Sequence, residues 1–307
     1  NKFSYSRYDE LSRIIETGEV RLDTLRDKSW GEIHAFIVLE LLGDSLISLD
    51  ELIHNHSRND VVKNFYDESI AVLPNDFVQR NLRNRVATSA YYPKLDSNST
   101  LQNWAYATHF SYDPTGNVKT LINDFYQEGA IDNNFHRFKQ LDYTYDVISG
   151  NMLQVHYQLG TAEAFHHKYK YDAENRIVEA KSSRDGIIWD QDATYEYYLH
   201  GPLARTVIGQ NKVQGIDYAY TLEGWLKTIN AGHKNADIGD DFNKNNPYAA
   251  DAFGMELKYN QFDYNPIGGN SNFLTNADTV SEISDLYNGN ISAISMHNQS
   301  MSYGKQF

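Results

Sequence analysis

The residues best suited to hold a transition metal are two histidine pairs, His54-Asn55-His56 and His166-His167. A zinc site takes three or four convergent ligands, and neither pair has an obvious partner elsewhere in the chain. They read as loop histidines. The run DIGDDFNKN over residues 237–245 offers oxygens of the kind calcium prefers, but it lacks the alternating aspartates and closing glutamate of a calcium loop. It reads as solvated loop, so no metal is expected. Asp190 and Asp192 beside Trp189 suggest a glycosidase pair, since such enzymes set two carboxylates across a cleft. Aspartates two positions apart on a strand share a face, which ordinary hairpin charges do as well. The patterns of an activated serine, a zinc protease, a phosphate loop and a dinucleotide site are all absent. No catalytic residue or cofactor is therefore assigned, and the chain is not expected to be an enzyme.

What does recur is a hairpin unit. It reads YSRYDELSRIIETG from Tyr5, FSYDPTGNVKTLI from Phe110, YTYDVISGNMLQVHY from Tyr143 and YKYDAENRIVEA from Tyr169. Each copy has aromatics, an aspartate, a short turn and a second apolar strand. The recurring positions are Tyr5, Tyr8 and Asp9; Tyr112, Asp113 and Gly116; Tyr143, Tyr145, Asp146 and Gly150; and Tyr169, Tyr171, Asp172 and Arg176. Looser copies follow at Tyr195 and Tyr197, then at Tyr218, Tyr220, Gly224 and Trp225. Tyrosines at i and i+2 fall on one face of a strand and form an aromatic strip that neighbouring hairpins can cover. Such strips pack sheets, and they can also stack on sugar rings. The aspartate accepts bonds from turn amides and is placed to meet Arg13 or Arg176 four positions on. In Asp113-Pro114-Thr115-Gly116, proline supplies the negative φ of a type I turn and glycine its left-handed exit.

The spacing between copies is uneven, which predicts stackable hairpins with variable outer loops rather than a rigid solenoid. Residues 1–102 read as an irregular part with insertions and residues 103–307 as a regular repeat segment. Short helical pieces are expected only in the first part, around SLDELIHNH and around NDFVQRNL, the latter capped by Asp76.

At 307 residues the chain is 41% hydrophobic, with 23 Tyr and 14 Phe, which is the composition of a folded, strand-rich protein. A net charge of -14 repels phosphate backbones and anionic membranes, so neither nucleic acid nor membrane insertion is expected. The absence of cysteine removes disulfides and thiolate chemistry.

These units resemble the RHS, or YD, repeats of bacterial RHS polymorphic-toxin shell proteins, of insecticidal toxin complex C components and of teneurins. YKYDAENRIVEA from Tyr169 is close to the generic unit. The run from Asp192 to Asn230 and YNGNIS from Tyr287 resemble the longer blocks of large bacterial members. The resemblance implies an all-β fold of consecutive antiparallel hairpins forming part of a spiralling cocoon. It further implies a structural segment of a secreted or cell-surface protein whose shell encloses or presents a C-terminal effector. The expected partners are the rest of the same polypeptide, with its C-terminal core and effector outside residues 1–307, together with secretion machinery or associated surface proteins. The alternative is a surface adhesin that binds glycan or protein, and the third reading is a carbohydrate-active enzyme.

Overall fold

The structure, a computed structural model, describes residues 2–21, 57–71, 73–74, 77–96, 103–125, 137–230, 238–239, 241, 248–249, 251–265 and 284–298. They form sixteen β-strands and no helical element. Every strand pairing within the two units described below is antiparallel and joins strands consecutive in sequence. The fold is thus the all-β series of hairpins that the repeat predicts.

The chain divides into two compact units, one of Asn1–Thr144 with Val155–Ala164, the other of Tyr145–Gln154 with Phe165–Phe307. The first contains β1 (Lys2–Tyr8), β2 (Ile14–Arg21), β3 (Arg58–Tyr66), β4 (Val86–Leu95), β5 (Tyr106–Tyr112) and β6 (Val118–Asp124). To these it adds most of β7 (Phe138–Tyr145) and the later half of β8 (Met152–Tyr157). The second contains β9 (Phe165–Tyr171), β10 (Ile177–Ser183), β11 (Asp190–Tyr197), β12 (Leu203–Ile208), β13 (Gln214–Tyr220), β14 (Leu226–Ile229), β15 (Phe253–Lys258) and β16 (Ala293–Asn298).

The first unit has an apolar core. Val61, Ala90, Tyr92, Leu95, Trp104 and Ala107 pack together, and Leu73, Ile122 and Phe138 form a second cluster. Period-two alternation places them: on β6, Thr120, Ile122 and Asp124 are buried while their neighbours are not. The expected helix at NDFVQRNL does not form in the described residues 77–82. That segment runs irregularly beside β4 and β5, where the buried Gln79 side chain donates to the carbonyls of Ala87 and Phe110 and Arg80 N–H bonds Ser111 Oγ. Backbone groups freed from a ladder must find partners, and here the Gln79 amide meets the carbonyls just past the end of the β4–β5 ladder, which an isolated helical turn would leave unpaired. The helix expected at SLDELIHNH, and His54 and His56, lie outside the described residues.

Both units bury charge as well, the first at Glu16, Arg58 and Asp124 and the second more extensively. Arg205, Asp217, Lys227, Asp241 and Glu256 are all buried there. Such groups survive burial only when paired.

Candidate functional site: turn closures, tyrosine locks and buried ion clusters

Every YD aspartate closes its own turn. Asp172 Oδ1 accepts the backbone N–H groups of Glu174 and Arg176, and Oδ2 accepts Arg176 Nε at 2.7 Å. Asp9 does the same with Leu11 and Arg13. Asp113 holds Thr115, Gly116 and Asn117, and Asp146 holds Ser149. The backbone repeats as well: the N–H three residues after the first turn residue bonds back to that residue's carbonyl, and its donor has positive φ at Ser12, Gly116, Asn175, Gly201 and Gly224. This is a type I turn followed by a left-handed residue that creates a bulge, a standard connection for a three-residue hairpin loop.

Burial raises the Asp113 carboxyl, but the bonds from Thr115, Asn117 and Gly116 outweigh it and hold the group down to about 2. In Asp172 burial is likewise outweighed, by Arg176 and Glu174, and in Asp9 the Arg13 backbone bond leads the lowering. A carboxyl held below its unfolded value stabilises the fold above that value and stops doing so as pH falls through the folded one. Stability is therefore expected to fall between about pH 4 and pH 2. Urea midpoints measured across that window should drop less steeply in Asp113→Ala than in the wild type; parallel curves would remove Asp113 from this role.

A second contact links five of the described hairpins to the one before. Tyr66, Tyr112, Tyr171, Tyr197 and Tyr259 donate their hydroxyls to the backbone carbonyls of Ile14, Val86, Met152, Ile177 and Leu226, at distances from 2.7 to 3.0 Å. Each acceptor is the first residue of the earlier hairpin's return strand. In the hairpins closed by Arg13, Arg85, Arg176 and Trp225 the register shifts at this point, which takes the carbonyl out of the regular ladder. The incoming hydroxyl supplies a partner. The closing residue also covers the ring: Arg13 on Tyr66 at 4.3 Å, Arg85 on Tyr112 at 5.3 Å, Arg176 on Tyr197 at 4.5 Å and Trp225 against Tyr259 at 5.1 Å. Tyr171→Phe should therefore cost about 1 kcal/mol and Tyr171→Ala about 2–3 kcal/mol, whereas Tyr8→Ala should stay within about 0.5 kcal/mol. Tyr8 is 57% exposed and has no earlier hairpin to reach among the described residues. Equal unfolding midpoints for the Tyr171 and Tyr8 variants would show that the lock does not hold the hairpins.

The other expected positions fall around this frame. On β9, Phe165, His167 and Tyr169 form a ladder on one face, with ring centroids 5.0 and 6.3 Å apart, and Tyr171 continues that face. His166 is buried on the opposite face, so the two histidines cannot converge on a metal. On β1, Tyr5 and Tyr8 point to opposite faces, and Tyr5 donates to Glu16 at 2.6 Å. Burial raises Tyr143, Tyr169 and Tyr220 above the usual tyrosine value. Tyr145, Tyr195 and Tyr218 are half-buried, and the Tyr218 carbonyl accepts Tyr198. Gly150 and Gly224 are turn residues with positive φ. Asp190 and Asp192 are exposed, and Asp192 accepts a bond from Ser182. No group of three metal-ligating side chains occurs among the described residues.

Buried ion clusters were not legible. Glu16 is met by Arg58 at 2.7 Å, Lys63 at 3.3 Å and Arg7 at 3.4 Å; burial raises its pKa, but Tyr5, Lys63 and Arg58 outweigh this and keep it low. Glu16, Lys63 and Arg7 join the Asp9–Arg13–Asp67 pairs in lining a cleft of about 330 Å³, where these opposite charges face one another. Thr88 Oγ1 lies 2.9 Å from His109 Nδ1, and His109 Nε2 lies 3.7 Å from Asp124, an order of groups that resembles a hydrolase triad. Thr88 is fully buried, however, and Asp124 is already held by Arg137 at 2.7 Å and Trp104 at 3.0 Å. A nucleophile must reach its substrate, so this is a structural network. Arg205 pairs with Asp217 at 2.6 Å and Asp241 at 2.5 Å, under the Tyr248 ring at 4.4 Å. Asp241, read from its sequence as part of a solvated loop, is thus buried against a guanidinium. A side-chain carbon at Gly215 or Gly239 would collide with that guanidinium, which explains the two glycines.

No family model matches the chain, and no curated protein sequence matches it. Solved structures similar to it include Tc toxin components. A TcdB2-TccC3 crystal structure without its hypervariable C-terminal region is 14% identical with a TM-score of 0.47, covering 85% of this chain and 10% of that one. TcdB2-TccC3-Cdc42 gives 13%, 0.46, 85% and 10%, and the Photorhabdus luminescens Tc holotoxin pore gives 12%, 0.40, 84% and 13%. The chain spans about a tenth of the first two. The hairpin fold rests on the strand pairing above and takes nothing from these scores.

Proposed function

We propose that this chain is a non-catalytic segment of an RHS/YD-repeat shell, in a secreted or surface polypeptide that encloses or presents a C-terminal effector. The observation that carries the reading is the tyrosine lock. It occurs five times among the described residues and each time joins one hairpin to the next. A chain whose recurrent residues are consumed by turn closure and hairpin stacking is built as a wall, and a wall of repeated units gains function from what it surrounds. Its negative charge suits neither nucleic acid nor anionic membrane as partner.

The test uses the whole polypeptide with whatever follows residue 307. Its C-terminal segment is expected to resist a protease that digests the same segment when free, and Tyr171→Ala combined with Tyr197→Ala is expected to shorten that protection. Digestion at the rate of the free segment would defeat the reading. One observation favours the adhesin alternative: Val147, Ile148, Leu199 and Leu222 stand almost fully exposed at turn tips of the second unit. Glycan or protein binding lost on Leu199→Ser and Leu222→Ser would select it. Polysaccharide turnover abolished by Asp190→Asn or Asp192→Asn would select an enzyme instead.

A further inference from the structure

Lys227, on β14, is buried together with two carboxylates. Its side chain is 3% exposed, and Nζ lies 2.9 Å from Asp263 Oδ1 and 3.3 Å from Glu256 Oε1; those acids are 6% and 5% exposed. Nζ also donates to the Leu257 carbonyl at 3.0 Å. The Asp263 carboxylate is oriented by the Tyr259 backbone N–H, which bonds Oδ2 at 2.8 Å. The other described lysines that pair with acids, Lys2, Lys63, Lys139, Lys170 and Lys181, are between 15% and 63% exposed. Lys227 alone among them has a second carboxylate in a site closed to solvent.

An amine held against a carboxyl carbon, with an acid beside it to carry protons, is the arrangement that amide formation needs. In water the reaction is opposed by the hydration of both charges and by the solvent itself. Burial removes both obstacles, and fixed proximity replaces a bimolecular encounter. We propose that Lys227 and Asp263 condense without any added reagent into an intramolecular isopeptide bond, with Glu256 as the proton carrier.

The step balances on these three residues. Glu256 relays a proton from the Lys227 ammonium to Asp263 Oδ1, leaving a neutral amine and a neutral acid. The Nζ lone pair then bonds to Cγ, while the Tyr259 N–H holds the charge that develops on Oδ2. Glu256 takes the remaining excess proton from nitrogen and delivers it to Oδ1. The Cγ–Oδ1 bond breaks with its electron pair on oxygen, and one water leaves. Nothing is oxidised or reduced, and Glu256 ends ionised as it began. The product ties β14 covalently to the segment after β15, across 36 positions of sequence.

The experiment is a tryptic digest of the whole protein, unfolded first and read by tandem mass spectrometry. The wild type is expected to yield a branched peptide joining the Lys227 and Asp263 segments, lighter than their sum by one water, with no cleavage after Lys227. Asp263→Asn should condense with loss of ammonia and give a branched peptide of the same mass as the wild type, a result that a structural salt bridge cannot produce. Glu256→Gln and Lys227→Arg should give linear peptides only, in protein whose strand content by circular dichroism matches the wild type. Linear peptides with cleavage after Lys227 in the wild type would overturn the proposal. A cross-link surviving in Glu256→Gln would overturn the role given to that residue.

Discussion

Arg205→Ala is expected to destabilise the second unit by about 3–5 kcal/mol, because it leaves two buried carboxylates without their cation. Asp217 and Asp241 side chains are 7% and 0% exposed. Burial alone lowers the Arg205 pKa, and the two aspartates more than reverse it, so the guanidinium stays charged in a site that depends on that charge. Arg205→Lys should fall between wild type and Arg205→Ala, since lysine keeps the charge but lacks the two separate nitrogens through which Arg205 meets Asp217 and Asp241. Arg176→Ala is the control: its side chain is 28% exposed, and loss of its pairing with Asp172 should cost about 1 kcal/mol or less. Urea unfolding gives the magnitudes, and hydrogen exchange in β12 and β13 locates the loss. If Arg205→Ala and Arg176→Ala unfold together, the cluster is not sealed from solvent. Arg205→Met with Asp217→Leu and Asp241→Leu should recover most of the stability, because removing all three charges removes the penalty as well as the attraction.

The turn chemistry was legible because it is local. Asp172 and Arg176 sit four residues apart, and their bond is written into that spacing. The unit YSRYDELSRIIETG from Tyr5 likewise falls on the hairpin of β1 and β2, whose turn it spans. The hairpin of β3 and β4 was missed because its two halves are far apart in the chain. Tyr66-Asp67 and Asn84-Arg85 are the ends of one YD turn with a long insertion between them. Asp67 N–H bonds the Arg85 carbonyl, Asn84 N–H bonds Asp67 Oδ1, and Asn84 has the positive φ that Asn175 has next to Arg176. Reading Asn84-Arg85 against Asn175-Arg176 would have found it. The tyrosine lock was half visible: the tyrosines were marked, but the acceptor is a backbone carbonyl, and no residue type announces that. The Arg205 and Glu16 clusters left no trace, because their partners come from strands or segments whose adjacency only the folded sheet sets. A lone arginine in LARTVI reads as the exposed position of an alternating strand.

Trp104→Ala is expected to cost the first unit about 3–5 kcal/mol, the usual range for a large aromatic truncated inside a core. Trp104 is 2% exposed within the cluster of Val61, Ala90, Tyr92, Leu95 and Ala107, so truncation opens a cavity that small neighbours such as Ala90 and Ala107 cannot fill. The indole does a second job through its Nε1, which donates to Asp124 at 3.0 Å. Burial raises the Asp124 carboxyl, but His109, Arg137 and Trp104 together outweigh it and keep the group ionised. Trp104→Phe separates the two roles, since it keeps most of the apolar volume and deletes the donor; it should cost about 1–3 kcal/mol, the range for a bond lost to a charged, buried acceptor. Asp124→Asn in the Trp104→Phe background then tests the coupling. If the indole bond matters through the charge, the second substitution should cost less there than in the wild type, by a margin of about 1 kcal/mol in a double-mutant cycle. Strict additivity would mean that Trp104 stabilises the first unit by packing alone and that Arg137 and His109 suffice for Asp124.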